Sequence, residues 1–138
     1  MSKLMFATLF AALSAVLPAF AADLTIDVEG VASADGQVRV AVFNSADTFP
    51  VKPVRAVGTP AREGKVRLVV ADLPAGDYAF AVYHDVNGNG KLDRNAVGMP
   101  TEDYAFSNNA MGKRGAPGFD DARVVLPAGG ASVGVNLH

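Results

Sequence analysis

One stretch of nine residues in the second half of the chain carries oxygen-bearing side chains at alternating positions. They stand in the first, third, fifth and ninth places and are Asp85, Asn87, Asn89 and Asp93. Glycine in the sixth place permits a sharp turn, and the next residue, Lys91, would offer its backbone carbonyl. Because Ca²⁺ prefers oxygen ligands on a tightly curled loop, this spacing predicts a calcium site.

The stretch matches only the front half of an EF-hand loop. Its twelfth position is Ala96 instead of a bidentate glutamate, and no helical pattern flanks it. Two carboxylates predict weak binding, with a Kd on the order of 10⁻⁴ to 10⁻³ M. Asn95, Glu102 or Asp103 would complete the ligand set if the chain folds back. The alternative is a plain Asn-Gly turn without a metal, because Asn-Gly pairs favour positive φ. No cofactor other than Ca²⁺ is predicted.

His84 stands directly before the loop and supports a second hypothesis. Histidine titrates at about pH 6.5 and can act as a general base, which Glu102 or Asp103 could orient in a small hydrolase or isomerase. No nucleophile, phosphate loop or dinucleotide-binding sequence accompanies it. The sequence therefore predicts no catalytic residues and no enzyme, and the competing interpretation of His84 is a hydrogen-bonded residue of the core.

The segment after the loop mixes aromatic, amide and hydroxyl side chains. Its residues Tyr104, Ser107 and Asn108, together with His84 and Glu102, would form a surface that binds a glycan or a peptide. In the alternative interpretation Tyr104 covers a sheet, while Ser107 and Asn108 satisfy backbone groups of the loop. An envelope protein or glycan is accordingly the candidate partner.

These residues need a scaffold, and the alternation of apolar and polar residues predicts strands. The pattern runs through 24–28, 38–42, 66–70, 78–84, 123–126 and 131–137. Asp35-Gly36 predicts a hairpin between the first two strands, and Leu73 to Gly76 predicts a tight turn that pairs the third with the fourth. The predicted fold class is all-β: a two-sheet antiparallel sandwich with about seven strands and a long irregular loop.

Composition limits the classes of function. The chain has 138 residues, enough for one domain, with 12 Lys and Arg against 14 Asp and Glu. Without a basic excess, nucleic-acid binding is not expected, nor is binding to an anionic membrane surface. The absence of cysteine excludes disulfides and thiolate metal sites.

The first 21 residues have the layout of a secretory signal peptide. Lys3 is followed by an apolar run from Leu4 to Leu17 and by Ala19-Phe20-Ala21. Cleavage would leave one β-sandwich domain, 22–138. The expected protein is exported, periplasmic or secreted, with no stable membrane insertion after cleavage.

The loop and the segment after it also resemble a known family. The shared pattern is His84-Asp85-x-Asn87-x-Asn89-Gly90-x-Leu92-Asp93, then Gly98-x-Pro100-x-Glu102-x-Tyr104-x-Phe106-Ser107-Asn108, then Pro117-x-Phe119-x-x-Ala122. It is similar to the bacterial domain of unknown function 2141, whose members are small exported proteins without assigned activity. A second pattern, Leu73-Pro74-x-Gly76-x-Tyr78-x-Phe80-x-Val82, resembles prealbumin-like and carboxypeptidase-regulatory-like sandwiches. That resemblance implies an immunoglobulin-like, prealbumin-like fold and carries no function.

Overall fold

The computed structural model of the chain describes residues 12, 21–113 and 115–138. The predicted signal peptide, residues 1–21, lies outside the described residues apart from Ala12 and Ala21. The described elements are, in order, β1 (Ala21–Val31), β2 (Gln37–Phe43), β3 (Arg55–Pro60), β4 (Gly64–Pro74), β5 (Gly76–Asp85), β6 (Tyr104–Phe106), a 3₁₀ turn (Ser107–Asn109), α1 (Phe119–Ala122), β7 (Val124–Leu126) and β8 (Ala131–Asn136).

The strands form two sheets that face each other across one core. The first sheet has the order β4-β1-β8, and the second has the order β3-β2-β5-β6 with β7 added against the beginning of β5. These strand pairs are antiparallel except for β1 and β8, which run parallel. The predicted all-β two-sheet sandwich is confirmed, with eight described strands instead of about seven and one parallel pair in an otherwise antiparallel arrangement.

The core forms because alternate residues of each strand are apolar and point between the sheets. β1 and β2 bury every second residue over most of their length. Leu24 and Ile26 of β1 and Phe80 of β5 have no exposed surface at all. Each such side chain contributes about 1.5–3 kcal/mol by leaving water. The alternation in the sequence therefore identified the buried faces correctly.

The two predicted hairpins are wrong. β1 and β2 follow each other in the chain but belong to different sheets, and the same holds for β4 and β5. β1 pairs instead with β4 and β8, while β2 pairs with β3 and β5. Alternation shows which side of a strand is buried but not which strand lies beside it. A turn that crosses from one sheet to the other therefore leaves the same pattern as a hairpin.

Two long connections between predicted strands, 44–64 and 86–121, contain structure that the alternation did not predict. The first holds the edge strand β3, and the second holds β6, the 3₁₀ turn and α1. Phe49 of the first connection packs edge to face against Phe43, Phe106 and Phe119, with ring centroids 5.2, 5.9 and 6.1 Å away. This aromatic cluster holds the two connections together. The irregular loop that remains between β5 and β6 is residues 86–103.

The turn between β1 and β2 touches the beginning of that loop. Gly36 has a φ of 66°, and a Cβ atom at this position would lie 2.0 Å from the carbonyl oxygen of Asp85 and 2.6 Å from that of Val86. Only glycine permits so close an approach. Nε2 of His84 lies 2.7 Å from the carbonyl oxygen of Asp35 and joins the same two segments.

Replacing Gly36 should therefore separate the turn from the loop. We expect Gly36→Ala to lower the free energy of unfolding by at least about 3 kcal/mol, because alanine adds a backbone clash to an unfavourable φ. Gly88→Ala is the matched control, since Gly88 has a φ of 67° but no non-neighbouring atom within 4 Å of the added Cβ. Its loss should be only about 1–2 kcal/mol. Urea unfolding followed by far-UV circular dichroism measures both, and equal losses would contradict the close approach.

Candidate functional site

The predicted calcium ligands lie where β5 ends and the 86–103 loop begins. Asp85 is the last residue of β5 and has no exposed surface. Its Oδ2 accepts hydrogen bonds from Nε of Arg39 at 2.9 Å and from the backbone N–H of Gly90 at 2.8 Å. Its Oδ1 accepts one from the N–H of Asn89 at 3.2 Å. A buried carboxylate requires such donors, and here they fold the loop back onto its own beginning.

The alternating oxygens of the loop accept hydrogen bonds at regular intervals. Oδ1 of Asn87 accepts the N–H of Asn89 at 3.2 Å, and Oδ1 of Asn89 accepts the N–H of Lys91 at 3.0 Å. The side-chain N–H groups of Asn87 and Asn89 both point at Asp93, each 2.6 Å from one of its carboxylate oxygens. The structure thus brings together three of the predicted ligands, Asn87, Asn89 and Asp93, around one point.

These hydrogen bonds also favour the charged form of the Asp93 carboxyl group. Donation from Asn89 and then from Asn87 holds the pKa of Asp93 below its ordinary value, against a smaller opposing effect of burial. Asp93 therefore remains a carboxylate through the neutral range.

Two further side chains, Glu102 and Tyr83, stabilise the stretch from Val86 to Asp93. Glu102 accepts the backbone N–H of Val86 at 2.8 Å and that of Asp93 at 2.9 Å, one on each carboxylate oxygen. It therefore joins the beginning of the loop to Asp93. The hydroxyl of Tyr83 donates to the carbonyl of Gly90 at 3.0 Å. Burial raises the pKa of Tyr83, which keeps this hydroxyl protonated as a donor. The contacts of Glu102 are thus with the backbone of the loop, which they stabilise.

The other predicted additions to the ligand set have different contacts. Oδ1 of Asn95 accepts the N–H groups of Val97 and Met99 at 3.1 and 3.0 Å and shapes a turn farther along the loop. Asp103 takes part through its backbone, since its carbonyl accepts the N–H of His84 at 2.9 Å.

Metal-ligating side chains are sparse in the loop. Within the described part of the chain, no three His, Cys, Asp or Glu side chains come together as a metal-binding group. A cation here would rest on the carboxylates of Asp85 and Asp93 together with amide and carbonyl oxygens, including the carbonyl predicted for Lys91. Such an all-oxygen set suits a hard cation of the Ca²⁺ type.

His84 lies inside the sandwich. Its side chain is 1% exposed, and Nε2 is within hydrogen-bond distance of the Asp35 carbonyl, which can only accept. The ring therefore donates at Nε2 and ties β5 to the turn before β2. This is the contact expected for a hydrogen-bonded residue of the core.

Ser107 and Asn108 bind backbone groups of a later segment. Ser107 is fully buried, and its hydroxyl accepts the N–H of Phe80 at 3.0 Å and donates to the carbonyl of Ala122. The side-chain amide of Asn108 donates to the carbonyl of Arg123 at 2.8 Å. His84 and Ser107 are thus interior residues, whereas Glu102, Tyr104 and Asn108 of the predicted binding surface keep some exposure.

Tyr104 is half-buried at the beginning of β6. Its ring packs edge to face on Phe106 with centroids 5.9 Å apart and lies 6.2 Å from the ring of His138. Its backbone exchanges hydrogen bonds with His138, N to O at 3.2 Å and O to N at 3.3 Å. Tyr104 therefore joins the five-stranded sheet to the end of the chain.

Sequence reasoning missed Arg39 and Tyr83, which hold the loop in place. Both lie on strand faces that point away from the main core, and Arg39 is directly opposite Tyr83 in the β2–β5 pair. The polar positions of β2 and β5 were visible in the alternation. Their proximity to the loop followed only from the pairing of these two strands, which the incorrect hairpin between β1 and β2 concealed.

The fold and the site define a two-sheet β-sandwich with a hydrogen-bonded Asp, Asn and Gly loop at one end. Residues 26–133 match the model of the family described as "Uncharacterized protein conserved in bacteria (DUF2141)". The chain belongs to this family, as its sequence pattern predicted. No curated protein and no solved structure shows a significant match. Among the described residues, no helix is long and apolar enough to cross a membrane.

The buried hydroxyl of Ser107 offers a test of its structural role. Ser107→Ala removes the acceptor of the Phe80 N–H and the donor to the Ala122 carbonyl. We expect a loss of about 1–3 kcal/mol in the free energy of unfolding, because buried backbone groups lose their partners. Ser132→Ala, at an exposed position of β8, should change it by less than about 0.5 kcal/mol. Thermal unfolding measures both, and a neutral Ser107→Ala would exclude the bridging role.

The pKa of Asp93 tests the hydrogen bonds within the loop. Its lowered pKa contributes stability above the unfolded pKa of about 3.9, and this contribution is lost as the pH falls through the folded pKa. The double variant Asn87→Ala/Asn89→Ala should raise the pKa of Asp93 toward its ordinary value, as measured by NMR titration of the carboxyl group. Asn44→Ala, which changes an exposed asparagine outside the loop, should leave it where it was. An unchanged pKa in the double variant would disprove the assigned contacts.

Proposed function

We propose that this chain is an exported, non-catalytic β-sandwich module whose loop from Asp85 to Asp93 binds Ca²⁺ weakly. The observation that carries the proposal is the meeting of Asn87, Asn89 and Asp93 at one point, with contacts of 2.6 Å. A simple Asn-Gly turn does not need a carboxylate four residues after its second asparagine. The buried carboxylate of Asp85 supports the same curled shape from the other side.

Binding requires a small change in two side chains. Without an ion, the amide N–H groups of Asn87 and Asn89 donate hydrogen bonds to the charged carboxylate of Asp93. Half a turn of each amide about its last torsion exchanges N–H for oxygen and directs two neutral oxygens and a carboxylate toward the same point. This rotation breaks the hydrogen bonds that the Oδ1 atoms of Asn87 and Asn89 accept from the backbone N–H groups of Asn89 and Lys91. This cost supports an affinity in the weak range expected for extracellular modules.

Arg39 reduces the affinity further. Its guanidinium is paired with Oδ2 of Asp85 at 2.9 Å, so one of the two loop carboxylates already has a positive partner. Arg39 side-chain exposure is 34%, so water screens the pair in part. A cation in the loop would use the other oxygen of Asp85 and experience repulsion from the guanidinium.

The remaining hypotheses have weaker support. A hydrolase or isomerase with His84 as general base would need the imidazole near a substrate, whereas His84 is buried and contacts the Asp35 carbonyl. A glycan or peptide surface at Tyr104 would need an open aromatic face, whereas this ring is half-buried beside Phe106. Export is supported by the layout of residues 1–21.

Calcium titration of the EDTA-stripped protein tests the proposal. We expect saturable binding with a Kd on the order of 10⁻⁴ to 10⁻³ M by calorimetry, and a rise in Tm of about 5–10 °C in about 10 mM Ca²⁺. Asp93→Asn should abolish both effects, because it removes the carboxylate at which the ligands meet. Asp47→Asn carries the same charge change at the exposed turn after β2 and should retain them. Absence of binding to the native loop would refute the calcium site.

The pairing of Arg39 with Asp85 predicts a gain of affinity. Arg39→Gln should tighten Ca²⁺ binding several-fold, because the competing positive charge is removed. It should also lower the stability of the Ca²⁺-free protein by about 1–3 kcal/mol, since Asp85 stays buried with fewer donors. Arg67→Gln is the charge-matched control: it removes an exposed pair with Asp27 in the other sheet and should not alter the affinity. Weaker binding by Arg39→Gln would contradict the role given to the pair.

A further inference from the structure

A small hairpin projects from the 86–103 loop. Residues 94–100 close through a bridge between Arg94 and Pro100. The backbone of Asn95 accepts from Gly98 at 3.0 Å and donates to Met99 at 2.9 Å, while Oδ1 of Asn95 accepts two more N–H groups of the turn. Arg94 donates to the carbonyl of Gly98 at 3.0 Å, so its guanidinium stays beside the tip. The hairpin is thus held by its own hydrogen bonds.

The tip of this hairpin presents apolar side chains to water. Val97 is 82% exposed and Met99 is 61% exposed, although backbone on both sides of each is held by hydrogen bonds. Single exposed apolar residues are ordinary on protein surfaces, but here two lie within one seven-residue hairpin. Because these side chains project from a narrow hairpin, a deformable surface can surround them better than a preformed pocket.

The charges of the loop are sorted by exposure. Its carboxylates are all buried or half-buried: Asp85 lies in the interior, and Asp93, Glu102 and Asp103 are half-buried. Its two basic residues, Lys91 and Arg94, are both exposed. Arg94, whose guanidinium contacts the Gly98 carbonyl, therefore places a positive charge beside the hairpin tip, although the chain as a whole has a formal charge of -2.

We propose that the 94–100 hairpin docks reversibly on an anionic phospholipid surface. Val97 and Met99 would enter the boundary between headgroups and acyl chains, while Lys91 and Arg94 remain at the level of the phosphates. Half of the seven-residue hairpin is about 12 Å long at about 3.3 Å per residue, which is enough to reach an interfacial depth of about 5–10 Å. This inference goes beyond the proposed calcium binding and does not depend on it.

Co-sedimentation of the purified protein with vesicles tests the docking. We expect binding to vesicles that contain phosphatidylglycerol and much weaker binding to pure phosphatidylcholine, in EDTA as well as in Ca²⁺. Val97→Ser/Met99→Ser should reduce the partition coefficient at least about ten-fold, because two apolar side chains no longer leave water. Lys91→Gln should reduce it about five-fold on anionic vesicles only.

Two controls distinguish docking by the hairpin from nonspecific binding by exposed apolar residues and from calcium binding. Val51→Ser removes a valine that is 85% exposed in the turn after β2 and should leave the partition coefficient unchanged. The Asp93→Asn variant should still bind vesicles in EDTA, so loss of calcium binding and loss of docking are distinguishable. Failure of the native protein to bind anionic vesicles would overturn the proposal, as would an unaffected Val97→Ser/Met99→Ser variant. Binding to an envelope protein without binding to vesicles would also overturn it.

Discussion

The buried carboxylate of Asp85 is the constraint on which the loop depends. A negative charge taken out of water is stable only where donors surround it. Asp85 obtains one donor from Arg39 of the neighbouring strand and two from the backbone of the loop itself. The Asp85 carboxylate therefore closes the loop and also attaches it to the five-stranded sheet. Gly36 completes the arrangement by allowing the turn before β2 to lie against the Asp85 carbonyl. Sheet, turn and loop form one connected unit for this reason.

The buried faces of the strands were predictable from sequence, but the pairing of one strand with another was not. The alternation around Ile26 and Val40 correctly identified the buried faces, because side-chain direction follows from a strand's own period. One of the two partners of β1 is β8, with Leu24 beside Ala131, and no local pattern indicates a pairing across so many residues. The hairpin between β1 and β2 failed because a sheet-crossing turn and a hairpin turn use the same residue types.

The candidate site divides in the same way. The spacing from Asp85 to Asp93 predicted a curled loop, and in the structure the side-chain amides of Asn87 and Asn89 donate to the Asp93 carboxylate. Arg39 was missed because its contact with Asp85 depends on the register of β2 against β5. Ser107 was assigned to a surface by residue type alone, whereas its partners are backbone groups far along the chain. Polar side chains near a loop thus identify a function only after their backbone partners are known.

The parallel pairing of β1 with β8 has a consequence for how the chain folds. The three-stranded sheet joins the earliest described strand to the last one, so it cannot be completed until nearly the whole chain is available. Contacts between distant parts of a chain form slowly, because a large loop must close before they contribute. Until then β1 can pair only with β4, and its other edge stays open to water. A long-lived open edge of this kind is where a partner that holds unfolded chains would find its target.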